Sequence, residues 1–122
     1  MTMKNIGDLL RLKRLEMKHT LEDVSKHVGV SINYIAQLEK GNKTNPSDDI
    51  VVKLACILEL DEDSLFTSFG KIPLSTRKAL ETHTTLAKAI SQINSDEELD
   101  ESRKEEFLQR AVYWYKKMLE ED

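Results

Sequence analysis

The 122 residues predict an all-α protein, five short helices followed by a two-helix extension. Three observations carry that expectation. The chain has only four Gly and two Pro, too few for a turn-rich β fold or a disordered chain. Breakers fall at Gly29, Gly41, Pro46, Gly70 and Pro73 and cut the chain into pieces of helical length. Between them the apolar residues recur at helical spacing. The length allows one domain, or a small domain with an appendage, and a core able to fold unaided.

Ile6, Leu9, Leu10 and Leu15 share one side of a first helix, Ile6 to Lys18. Thr20-Leu21-Glu22-Asp23 is a capping-box variant opening a short second helix, with Leu21, Val24 and Val28 inward. Gly29 ends it, because glycine takes the left-handed conformation that a tight turn needs. Ser31 caps a third helix, Ile32 to Lys40, with Ile35 and Leu38 inward and Gly41 as its stop. After a polar loop, Pro46-Ser47-Asp48-Asp49 starts the fourth helix, its acids favoured by the helix dipole. Ile50, Leu54, Ile57 and Leu58 form its apolar stripe. Asp61 caps a fifth helix ending near Phe66.

Gly70 to Pro73 is a composition break, so the expected domains are 1–69 and 70–122. Ser75 is expected to cap a longer helix running through Ile93, and Ser102 to Leu119 to form the last one. That last helix carries two adjacent stripes: Phe107, Ala111, Trp114 and Met118 beside Leu108, Val112, Tyr115 and Leu119. Each repeats at 4, 3, 4, a heptad-like spacing. So broad an apolar face needs a partner, either the preceding helix or another subunit.

Composition excludes several functions. The single Cys56 rules out an internal disulfide framework and a cysteine-based zinc site, and fits a reducing, cytoplasmic setting. Its neighbours Leu54, Ile57 and Leu58 suggest a buried small hydrophobe. His19, His27 and His83 share no metal spacing, so no metal or other cofactor is expected. No apolar run reaches the length of a membrane span, and with charges at Lys4, Asp8 and Arg11 no signal peptide is expected. There is no nucleophile elbow, Gly-rich phosphate loop or HExxH, so no enzyme is expected. The net charge of −4 opposes nucleic-acid binding only on average. Residues 1–46 hold eight Lys and Arg against five acids; residues 47–70 hold one against six.

The second and third helices, joined by the turn at Gly29, have the arrangement of a helix-turn-helix. A helix that enters the major groove needs polar side chains on its outer face. Ser31, Asn33, Tyr34, Gln37 and Lys40 supply them. Ile6-Gly7, Arg14, Thr20 to Val24, Val28-Gly29-Val30-Ser31, Ile35, Leu38-Glu39-Lys40-Gly41, Pro46 and Leu54-Ala55 together resemble the pattern of the Cro/C1-type (XRE) helix-turn-helix family. The resemblance covers about residues 5–66 and implies a lambda-repressor-like five-helix domain in a DNA-binding transcriptional regulator. It places Ile32, Asn33 and Gln37 at bases, with Tyr34 at the edge of the interface. It places Thr20, Ser31, Lys40, Asn42, Lys43 and Thr44 near phosphates. Two positions depart from the family pattern. Ser25 stands where an alanine is usual. Leu21 replaces a polar phosphate ligand, leaving the amides at that helix end for a phosphate.

One helix-turn-helix reads one half-site, and dimers read two about 34 Å apart. The stripes of the last helix are therefore expected to make a homodimer, and the protein to act as a repressor on a double-stranded DNA operator. The alternative is an antitoxin or protein-interaction module whose C-terminal helices bind a protein antagonist or toxin.

Overall fold

The computed structural model describes residues 5–120 and, of Met118, only its place in a helix. Every regular element among the described residues is a helix: α1 (Ile6–Glu16), α2 (Leu21–Val28), α3 (Ile32–Lys40), α4 (Asp48–Ile57), α5 (Glu62–Ser68), α6 (Leu74–Thr82), α7 (Thr84–Ser95) and α8 (Glu101–Glu120). They form two compact units, one up to Arg77 and one from Lys78, the division falling inside α6. No described helix is long and apolar enough to cross a membrane.

In the first unit each of the first five helices starts on a side-chain cap. Asn5, Thr20, Ser31, Ser47 and Asp61 each accept a bond from a first-turn amide, satisfying a donor that has no intrahelical partner. Thr20 and Asp23 form the full reciprocal capping box. Apolar faces at i, i+3, i+4 then meet in one core of Leu10, Val24, Val28, Ile35, Leu38, Val51, Leu54, Ala55, Leu58, Leu65 and Phe66. Helix α3 packs against both α1 and α2, which fixes the base of the third helix while its outer face stays free.

The approach of α1 to α3 is backbone-close. A Cβ on Gly7 would lie 2.5 Å from the carbonyl oxygen of Glu39 and 2.6 Å from that of Leu38, so only glycine fits. Four residues after Leu10 the inward position is taken by Arg14, and Leu15, a further 100° round the helix, is exposed rather than buried. The same geometry corrects the expectation for Cys56. Helix α4 buries Val51, Leu54 and Ala55, and Cys56 lies about 200° from Leu54 on the solvent side, exposed.

Beyond α5, Asp48 at the start of α4 binds Lys71 Nζ (3.2 Å) and Arg77 Nη1 (2.7 Å), holding the stretch after Gly70 within the first unit. Ser75 is not a cap. Pro73 presets the dihedral for helix entry, α6 begins at Leu74, and the Ser75 hydroxyl donates to Asp63 at 3.1 Å. The single helix expected to run to Ile93 is interrupted at His83, whose backbone leaves the helical region (φ −107°, ψ 79°). Thr82, Thr84 and Thr85 flank that break, and such β-branched residues resist helix propagation. Three helices, not two, therefore follow the composition break.

In the second unit Lys104 Nζ donates to the Asn94 carbonyl oxygen at 2.8 Å, joining the end of α7 to α8. Leu80, Ala87, Ile90, Ile93 and Leu108 line an open groove of about 330 Å³ there. Along α8, Phe107, Leu108, Ala111, Val112, Trp114, Tyr115 and Leu119 are all exposed, Trp114 by 64%. The side chain of Met118, expected in the same stripe, lies outside the described residues.

Candidate nucleic-acid interface

The turn between α2 and α3 is set by local chemistry. Gly29 adopts φ +83°, and its amide and that of Val30 both donate to the Ser25 carbonyl oxygen, at 2.8 and 3.1 Å. Ser25 is itself buried, and its hydroxyl donates to the Glu22 carbonyl oxygen at 2.9 Å. That bond satisfies the one polar atom by which it departs from the usual alanine. Ser31 then starts α3 by accepting from the Tyr34 amide at 3.0 Å.

With Ile35 and Leu38 buried, the opposite side of α3 presents Ile32, Asn33, Gln37 and Lys40. Ile32 is 47% exposed, an apolar side chain on an otherwise polar face and suited to a thymine methyl. Asn33 and Gln37, one turn apart, approach each other: Gln37 Nε2 lies 3.5 Å from Asn33 Oδ1. Asn42, just past the helix, donates from Nδ2 to Gln37 Oε1 at 2.7 Å. Three amides thus form a line along the outer face and continue past the helix end.

The cations around this line differ. Lys43 Nζ sits 5.3 Å from the centre of the half-buried Tyr34 ring, a cation–π contact that gives a flexible lysine a preferred place. Burial also raises the Tyr34 hydroxyl above its ordinary value, so it stays neutral and a donor. Lys40 is exposed and makes no ion pair among the described residues, and Thr44 is exposed. At the start of α2 the Thr20 and Asp23 amides are occupied by the capping box, and the Asp23 carboxyl is held below its usual value by those bonds. A carboxylate at that helix end competes with a phosphate for the remaining amides.

Behind this outer face, Arg14 of α1 grips Glu39 of α3 through two bonds, Nε to Oε2 at 2.7 Å and Nη2 to Oε1 at 3.0 Å. Its third nitrogen donates to the His19 carbonyl oxygen. Both side chains are about nine-tenths covered. The pair locks the C-terminal end of α3 to α1 and to the turn before α2. Sequence reasoning singled out both residues but not their pairing, since they lie 25 positions apart. The Asn42–Gln37 bond was equally invisible, because it depends on how the chain leaves Gly41.

Comparison with known proteins bears on this geometry. Residues 10–65 match the model of a helix-turn-helix family. Over 61 residues, half of the chain, it is 33% identical to the HTH-type transcriptional regulator SlrR of Bacillus subtilis (strain 168), covering 40% of that protein. Over 55 residues it is 34% identical to the transcriptional regulator ClgR of Mycobacterium tuberculosis, covering 48% of it. The chain thus spans less than half the length of these curated relatives. Among solved structures, a SinR protein/SinI protein complex aligns over 91% of this chain and 98% of the other, at 20% identity and a TM-score of 0.47.

Proposed function

We propose that the chain, whose residues 10–65 match a helix-turn-helix family, is a sequence-specific DNA-binding transcriptional regulator, acting as a homodimeric repressor. The observation that carries the reading is the outer face of α3: three linked amides, an exposed Ile32 and flanking Lys40 and Lys43, on a helix whose inner face is locked. Asn33 and Gln37 offer the paired donor and acceptor that adenine presents a partner for in the major groove. Lys40, Lys43, Thr44 and Ser31 lie where phosphates flank that groove and set the register of the helix. Glu39 stays out of the interface, held by Arg14.

The exposed stripes of α8 support the dimer, since a lone helix gains nothing by showing water that much apolar surface. The same face suits a partner protein taken up by helix-in-groove docking, which is the second reading. Selection of bound sequences from random DNA, with light scattering on the free protein, tests both. The first reading expects an enriched palindrome with half-sites about one helical turn apart and a mass twice the chain's 14.0 kDa. A monomer that enriches no sequence would refute it, and a stable monomer that enriches a single half-site would favour the partner protein.

A further inference from the structure

We infer that Asn42 is a specificity-determining positioning residue, which sets the orientation of the Gln37 amide instead of acting as a phosphate ligand. The inference rests on α3 being the reading helix. Gly41, with φ +82°, turns the chain back over the helix end, and the Asn42 and Lys43 amides both donate to the Gln37 carbonyl oxygen, at 3.0 and 3.3 Å. The backbone of Asn42 is therefore anchored to the very residue whose side chain it touches. From that anchor its Nδ2 reaches Gln37 Oε1 at 2.7 Å, the shortest of the side-chain bonds on this face.

A glutamine amide has two faces of opposite hydrogen-bonding sense, and a free one offers both to a base. Here a half-turn of the Gln37 amide would set Nε2 against Asn42 Nδ2, donor against donor. It would also turn Oε1 toward Asn33 Oδ1, acceptor against acceptor. Asn42 thus commits Oε1, with Nε2 standing toward Asn33 Oδ1 at 3.5 Å, and each keeps one outward valence: a second lone pair on Oε1 and a second proton on Nε2. One acceptor beside one donor, in fixed order, matches the N6–H and N7 of adenine. The ordering entropy of the side chain is spent before DNA arrives, so the match contributes more to discrimination. With one Nδ2 proton held by Gln37, Asn42 brings no charge toward phosphates, whereas Lys40 and Lys43 do.

The test is selection of bound sequences from random duplex DNA by the full chain and by Asn42→Ala, Asn42→Asp, Gln37→Ala and the Asn42→Ala/Gln37→Ala double variant, with melting curves for each. Asn42→Ala should relax the preference at the same base pair as Gln37→Ala, with about a three- to tenfold loss of discrimination there. The double variant should be no worse than Gln37→Ala alone, because coupled residues fail to add. Asn42→Asp, of the same size but able only to accept, should change the preferred base at that pair. Melting temperatures should stay level, since the Asn42 side chain is exposed. If Asn42→Ala weakened every sequence alike and flattened the salt dependence, Asn42 would be a phosphate ligand and the inference overturned. A wild-type motif left unchanged at the Gln37 pair would overturn it too. A wild-type protein that enriches no motif would instead bring down the reading of α3 itself, and this inference with it.

Discussion

Gln37 and Lys43 lie six positions apart and should fail in different ways when cut back to alanine. Gln37→Ala removes the base contact proposed for it: discrimination at one base pair should drop by about 1–3 kcal/mol while non-specific binding persists. Lys43→Ala removes a point charge. It should weaken all sequences together and lower the slope of affinity against salt by about one, read from gel shifts at several salt concentrations. Equal behaviour of the two variants would contradict their assigned roles. Arg14 and Glu39 are a stability matter instead. Removing one member of a pair so well covered strands the other charge, so Arg14→Ala should cost about 3 kcal/mol in urea unfolding. The hydrogen bonds to Glu39 raise the Arg14 pKa further, so the guanidinium stays charged at any pH the fold survives. Gln37 stands on the outer face at a fixed helical offset from the buried Ile35 and Leu38, whereas Lys43 lies beyond Gly41, where periodicity no longer places a side chain. Cys56 is exposed where its apolar neighbours predict burial, and Leu15 is exposed although it shares the side of Leu10, because apolar type alone does not say which 100° step of a helix meets the core.

The caps and close approaches that define the helices yield two more expectations. Gly7→Ala would drive a methyl to within 2.6 Å of two backbone carbonyl oxygens that have no rotamer to escape into. It should destabilise the fold by about 3 kcal/mol, the upper part of the overpacking range, and loosen α1 from α3. Acid should act through the carboxylates at helix starts. Asp23, Asp61 and Asp48 are all held below the ordinary 3.8, the first two by bonds at their own caps and Asp48 chiefly by Arg77 and then Lys71. A carboxyl lowered on folding stabilises the native state at every pH above its unfolded value and loses that contribution as pH falls through the lowered one. Melting temperature should therefore be level from pH 7 to about 5 and decline below about 4. Asp48→Asn should make that decline shallower. Caps of this kind are legible because donor and acceptor lie within three residues, as at Thr20 and Asp23. The break at His83 was not, since three threonines only weaken a helix and do not forbid one.

For the molecule as a whole, the proposed function makes charge and assembly decide the mode of DNA binding. Residues 1–46 carry a surplus of three positive charges, and residues 47–70 an acidic excess of five. Random DNA should accordingly be held weakly, with affinity gained through base contacts and through two half-sites read together. Val112→Glu, on an exposed face of α8, removes no core contact, so the chain should stay folded. If that face makes the dimer, the variant should run as a monomer in light scattering and lose operator affinity at least tenfold, while single half-site binding survives. A dimer undisturbed by Val112→Glu and by Tyr115→Glu would place the interface elsewhere.

Helix existence, caps, turn glycines and the polar outer face of α3 follow from local rules. Each depends on residues within four positions of one another, and the 3.6-residue period of a helix makes such neighbours meet whatever the rest of the chain does. Tertiary structure alone decided the Arg14–Glu39 clamp, the glycine-only contact at Gly7, the hold of Asp48 on Lys71 and Arg77, and the bond from Asn42 to Gln37. All but the last join residues more than twenty positions apart, and the last turns on a left-handed step at Gly41. Periodicity marks which side of a helix faces in, but not which atoms of another helix will be waiting there.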